Sequence, residues 1–147
     1  MLYRDVPAFV HALRASGESD AVKDALEWLI LTGTRTIEAL GAPFSEVDER
    51  TAIWTIAPSR VKSAEHPIVP LSARALKIFA ARKKRASTKN NLLFEAAPGR
   101  PLASMALLMA RRRQGTASVP HGFSYSFNAW AKAHAPDETD RRKLLEA

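Results

Sequence analysis

Between Asp20 and Thr32 the apolar residues Val22, Ala25, Leu26, Trp28, Leu29, Ile30 and Leu31 cover most of a helical circumference. A helix with so little polar surface cannot lie on the outside of a protein, so the spacing predicts a buried central helix around which the rest must pack. Gly33 breaks it, Arg35 follows at once, and Thr36 to Gly41 reads as another short helix. A chain of 147 residues is long enough for one domain with a real core and too short for two comfortable ones, so residues 1–147 are read as a single unit.

The flanking segments have other periods. Val6 to Ala15 places Val6, Phe9, Val10 and Leu13 at helical spacing, tolerates Pro7 in its first turn and ends at Ser16-Gly17. Thr51 to Ala57 alternates, with Ala52, Trp54 and Ile56 on one face, as a half-buried strand does. Ile68 to Leu71 is a second β-like run, and Pro67 and Pro70 suit a sheet edge. Pro58 to His66 is the turn between them. Ser72 caps a helix through Arg85, with Leu76, Phe79 and Ala80 towards the core. Leu92-Leu93-Phe94 is a candidate third strand, Leu102 to Arg113 is helical, and Pro120 precedes a helix from about Gly122 to His134. Asp137 to Ala147 begins one more. Helices, a small antiparallel sheet and further helices make an α+β, mostly helical fold class.

Net charge is +7, which favours a polyanionic partner, nucleic acid being the commonest, but suits solubility equally well. Basic residues cluster at Arg82-Lys83-Lys84-Arg85, Arg111-Arg112-Arg113 and Arg141-Arg142-Lys143. The first two follow apolar helical runs, where cations also suit the C-terminal dipole. With no cysteine there is no disulfide framework and no thiolate metal site. No stretch reaches the roughly 18–20 apolar residues of a membrane span. The N-terminus has neither the basic start nor the apolar core of a signal peptide, so a cytoplasmic protein with no membrane partner is expected.

Glycine-rich phosphate loops, nucleophile elbows and His-Glu-x-x-His pairs are missing. The histidines (His11, His66, His121, His134) have no metal-ligand spacing, so no cofactor and no metal are expected. What remains is Arg35, Lys62 and His121, each beside an element boundary, where functional side chains concentrate. Taken singly, each has a plainer reading. Arg35 is then a surface or capping charge, Lys62 a solvated turn cation and His121 a polar residue before a helix. Glu38 is a favourable first-turn acid, Arg60 a hairpin charge, and Trp54 and Trp130 core aromatics.

Taken in order, the segments say more. The run Ala25 to Leu40 resembles the segment around the first catalytic arginine of tyrosine recombinases, where a buried helix ends in a small-residue turn and the arginine opens the next helix. Trp54 to Lys62, followed by Val69-Pro70-Leu71-Ser72, is similar to that family's lysine-bearing β-hairpin. Pro101 to Met105 with Leu107-Leu108-Met109 resembles the helix ahead of its His-x-x-Arg motif, and Pro120-His121-Gly122-Phe123 the start of that motif. The similarity runs from about Tyr3 to the last residue, and its details look most like integrases of prophages and genomic islands. The resemblance implies the family's catalytic-domain fold with a small antiparallel sheet. It implies DNA integration by strand breakage and rejoining through a 3′-phosphotyrosyl link, without metal. Arg35 would clamp phosphate oxygens, Lys62 would protonate the departing 5′ oxygen, and His121 would assist proton transfer or bind phosphate. Glu38, one turn past Arg35, would orient it.

The chain departs from that pattern. Ser124 stands where the motif has its second arginine, and a serine offers one hydroxyl but no charge and no fork. Losing one preorganised donor to a developing oxyanion costs roughly 10²–10³ in rate. The tyrosines, Tyr3 and Tyr125, are in the wrong places, so no nucleophile is assigned. The expectation is therefore a single partial catalytic domain that ends before the nucleophile-bearing segment, without arm-binding or core-binding domains. Such a chain would bind double-stranded DNA weakly and be inactive by itself. Two alternatives stand beside it: a non-catalytic remnant that binds DNA or modulates an intact integrase, and a protein-interaction module that forms a homo-oligomer.

Overall fold

The computed structural model describes residues 2–61, 68–86, 91–115 and 127. Helix α1 is Val6–Ala15, α2 is Asp20–Thr32 and α3 is Thr36–Leu40. Strands β1 (Val47–Asp48), β2 (Ile53–Thr55) and β3 (Ile68–Pro70) follow, then α4 (Ala73–Arg85), the hairpin β4 (Glu95–Ala97) and β5 (Arg100–Pro101), and α5 (Ser104–Arg113). Among the described residues no helix is long and apolar enough to cross a membrane.

Helix α2 begins where Ser19 accepts a hydrogen bond from the Val22 amide, and it stops at Gly33, whose φ of 64° a side chain would resist. It is the central helix. Ala25, Leu26 and Trp28 are fully buried, and α1, α3, α4 and α5 all pack against it. Trp28 meets Trp54 of β2 at 5.5 Å between ring centroids and Phe94 at 6.0 Å, both tilted edge-on as ring quadrupoles prefer. Ile30 and Leu31 are only half buried, and the buried residues of α2 include a carboxylate, Glu27.

Strand β2 is the middle of an antiparallel sheet, with Trp54 opposite Val47 on one side and Val69 on the other. It is shorter than the alternation predicts, because Ala52 takes a positive φ of 55° and belongs to the preceding turn. Strand β3 is an edge, as its Pro70 suits. The short β1 carries no alternation that would announce it. Ser72 caps α4 by accepting from the Ala75 amide. The buried face of α4 is Ala75, Ile78, Phe79 and Arg82, so Leu76 and Ala80 sit at the margin and not at the centre of that face. Leu92-Leu93-Phe94 is not a strand of the main sheet. Leu92 makes one isolated bridge to Pro43, and the strand begins after it, at Glu95. The apolar run is spent on the core, where Leu93 and Phe94 are buried. The helices expected from Gly122 and from Asp137 lie outside the described residues.

Ion pairs join the helices. Asp20, Asp24 and Glu27 are spaced at four and three residues along α2, so they share one face. They meet Arg85, Arg82 and Arg74 of α4 in the opposite sequence order. Arg113 at the end of α5 holds Glu18 with two bonds of 2.6 and 2.9 Å. Lys83 pairs with Glu49. Much of the two described basic clusters is therefore occupied by carboxylates of the same chain, and Arg111 is fully buried.

Candidate functional site

The turn that joins α2 to α3 is built from short-range bonds. The Gly33 amide donates to Leu29 O at 3.0 Å, and the Thr32 hydroxyl donates to Trp28 O at 2.8 Å. Gly33 is needed twice. Its backbone is left-handed, and a Cβ there would lie 3.0 Å from Cδ1 of Phe127. The ring of Phe127 thus rests on the turn.

Arg35 follows as the N-cap residue of α3, with extended backbone (φ −77°, ψ 149°). Its amide donates to the Glu38 carboxylate at 2.8 Å, which is the acidic half of a capping box. The guanidinium reaches the other oxygen of Glu38 only at 3.4 Å and is 56% exposed, whereas the Glu38 carboxylate is 9% exposed. A buried anion therefore stands behind an arginine whose fork faces outward. Burial fixes the carboxylate, and the carboxylate fixes where the guanidinium can point.

The β2–β3 connection reaches the same helix. Arg60, which ends a 3₁₀ turn at Pro58–Arg60, donates from Nη1 to the Glu38 carbonyl at 2.9 Å. Its Nε donates to Glu46 Oε1 at 3.0 Å, and its Nη2 pairs with Glu46 Oε2. Glu46 also accepts from the Trp54 indole at 2.9 Å and from the Ala57 amide at 3.0 Å. Reading Arg60 as an ordinary hairpin charge undervalues it, and Glu46 escapes sequence reasoning altogether. The signal was Trp54, since a buried indole N–H needs an acceptor.

Of the residues singled out in the sequence, Arg35 and Glu38 are together, as the one-turn spacing requires. Lys62, His121 and Ser124 lie outside the described residues. Lys62 is two positions beyond Arg60, and His121 and Ser124 are six and three positions before Phe127. A cleft between the start of α2, the end of α4 and β4 is lined by Asp20, Arg82, Arg85 and Glu95 among others, and by neither Arg35 nor Glu38.

No protein-family model matches the chain. The chain is 29% identical over 115 residues to the prophage integrase IntA of Escherichia coli (strain K12), a match that covers 78% of this chain and 28% of that protein. Among solved structures it is similar to the Tn1549 transposon integrase in complex with circular intermediate DNA, with a TM-score of 0.74 and 14% identity. That match covers 96% of this chain and 54% of the other. It is also similar to the XerH site-specific recombinase bound to difH substrate, with a TM-score of 0.72 and 18% identity over all of this chain and 46% of that one. XerA recombinase gives a TM-score of 0.60 over 88% of this chain. The chain thus spans about a quarter of the curated relative and about half of each solved one.

Proposed function

From a chain that carries the tyrosine-recombinase catalytic-domain fold, we propose that its site holds a phosphodiester of double-stranded DNA, the inheritance of an integrase that breaks and rejoins strands. The observation that carries the reading is the exposed fork of Arg35 backed by the buried Glu38 carboxylate. Two contacts support it: Arg60 bonds to α3 just before Lys62, and Phe127 rests on Gly33 just after the His121-to-Ser124 motif. Both bring segments remote in sequence to the turn that bears Arg35.

On this reading Arg35 takes two phosphate oxygens with parallel, always-charged bonds. Lys62 supplies the proton for the departing 5′ oxygen, and His121 binds phosphate or shuttles a proton. Ser124 leaves the second fork of the clamp unfilled. With neither Tyr3 nor Tyr125 in the nucleophile position, these 147 residues bind duplex DNA without becoming linked to it.

Fluorescence anisotropy with a labelled duplex tests the binding, and a nicked substrate tests the chemistry. Arg35→Ala should weaken binding about tenfold or more, as loss of a charged bidentate contact does, and Ser124→Arg should tighten it. A covalent protein–DNA adduct would refute the inactivity, and binding indifferent to Arg35→Ala would refute the site.

A further inference from the structure

We infer that Arg60 and Glu46 are positioning residues for Arg35: they tie α3 to the sheet, and with it the cap from which the Arg35 fork projects. This deepens the phosphate-site reading above and rests on it. Helix α3 has five residues, about one and a half turns, so its own hydrogen bonds are too few to hold it and its orientation is set by its tertiary ties. Arg35 is its N-cap residue, so a tilt of α3 carries the guanidinium with it.

Glu38 is the joint. In a continuing helix its carbonyl would accept from the Ala42 amide, but that amide goes to the Ala39 carbonyl instead. Arg60 Nη1 fills the place at 2.9 Å. The Glu38 carboxylate meanwhile takes the Arg35 amide and guanidinium, so Glu38 alone separates the two arginines. On its far side Arg60 gives Nε and Nη2 to Glu46, whose side chain is 9% exposed and which the Trp54 indole and the Ala57 amide hold in turn. Each nitrogen of the Arg60 guanidinium is thus bonded within the chain, beside a buried carboxylate that already neutralises it. That arrangement is a poor phosphate ligand and a good strut. Gly41 leaves room for it. Its φ of −90° suits any residue, so space is the reason for glycine: a Cβ would fall 2.7 Å from Arg60 Nη1 and 3.2 Å from the Ile37 carbonyl.

The test sets position against charge, by anisotropy of the full chain with a labelled duplex. Glu46→Gln removes a negative charge, so charge alone would tighten binding to a polyanion. Loss of the strut reverses the sign: binding should weaken severalfold, with the roughly tenfold loss of Arg35→Ala as the ceiling. In the Arg35→Ala background Glu46→Gln should no longer weaken binding, because the strut acts only through Arg35. Circular dichroism checks that the variants fold. Should Glu46→Gln fail to, Gly41→Ala decides, since it changes no charge and crowds Nη1 away from the Glu38 carbonyl; it too should weaken binding only where Arg35 is present. Binding unchanged or tightened, with Arg35→Ala still costly, overturns the positioning role and leaves the phosphate site standing. So does a loss that persists in the Arg35→Ala background, which would mark a general effect on the fold. Indifference to Arg35→Ala itself overturns both.

Discussion

Glu27 is a carboxylate buried in the middle of the central helix, and it survives there because two arginines share it. Arg74 gives it bonds of 2.7 and 2.9 Å, and Arg14 gives it another at 3.2 Å. Burial alone would raise its pKa; the hydrogen bonds from Arg74 and then Arg14 outweigh that and hold it at about 2, against an ordinary 4.5. The stabilisation is complete above pH 4.5. It shrinks below that as the unfolded chain takes up its proton first, and it is gone once pH falls through about 2. Glu27 should therefore contribute a loss of about 3 kcal/mol to stability measured by denaturant from pH 7 downward, and Glu27→Gln should remove that share of the slope along with the stability. Asp24 runs the other way: burial raises its pKa despite Arg82, so acid relieves a cost there. At Gly33 the backbone and the Phe127 ring make separate demands. Gly33→Ala should cost about 1–2 kcal/mol for the left-handed backbone alone and more for the displaced ring. Gly33→Asn, whose side chain tolerates that backbone, should isolate the second part in thermal unfolding. Single residues were legible where one rule governs them. Gly33 as a breaker follows from the end of the apolar period, and Glu38 as the partner of Arg35 from the resemblance. Glu27 and Glu46 do not, since each is paired with residues at remote positions.

Elements were more legible than residues. Helices α1 and α2 begin and end where the 3.6-residue period and its breakers put them, because both carry clear caps or stops. Strand β2 was placed by its alternation but shortened by Ala52, and β1 went unread because two residues have no period. The apolar run at Leu92 to Phe94 reads equally as strand or as core-lining coil, an ambiguity that only the tertiary partner settles. Helix α2 should dominate the stability of the whole. Leu26→Ala, at a fully buried position, should cost about 2–5 kcal/mol, whereas Leu31→Ala, half buried, should cost clearly less in the same chemical denaturation. Equal losses at the two positions would contradict α2 as the centre of the core.

For the molecule as a whole, formal charge is a poor guide to where DNA would lie. Net +7 and the basic runs suggest broad positive faces, but Lys83 and Arg113 each face a carboxylate of the chain itself. In anisotropy titrations against salt, Arg35→Ala should lower the steepness of log affinity against log salt by about one phosphate contact. Lys83→Ala and Arg113→Ala should leave it unaltered. The candidate site was legible only as far as the turn between α2 and α3; the Arg60 bond to α3 and the Phe127 ring on Gly33 are pairings that no local spacing encodes. The same holds for the charged contacts between α2 and α4, and these have a further consequence for assembly of the fold. Along α2 the acids fall at intervals of four and then three residues; along α4 their partners, met in that order, fall at intervals of three and then eight. Such unequal spacing works like an asymmetric key. Turned end for end, or slid by a turn, α4 would set arginine against apolar surface, strip Asp24 of Arg82 and leave Glu27 with Arg14 alone, so the pair of helices docks best in one direction.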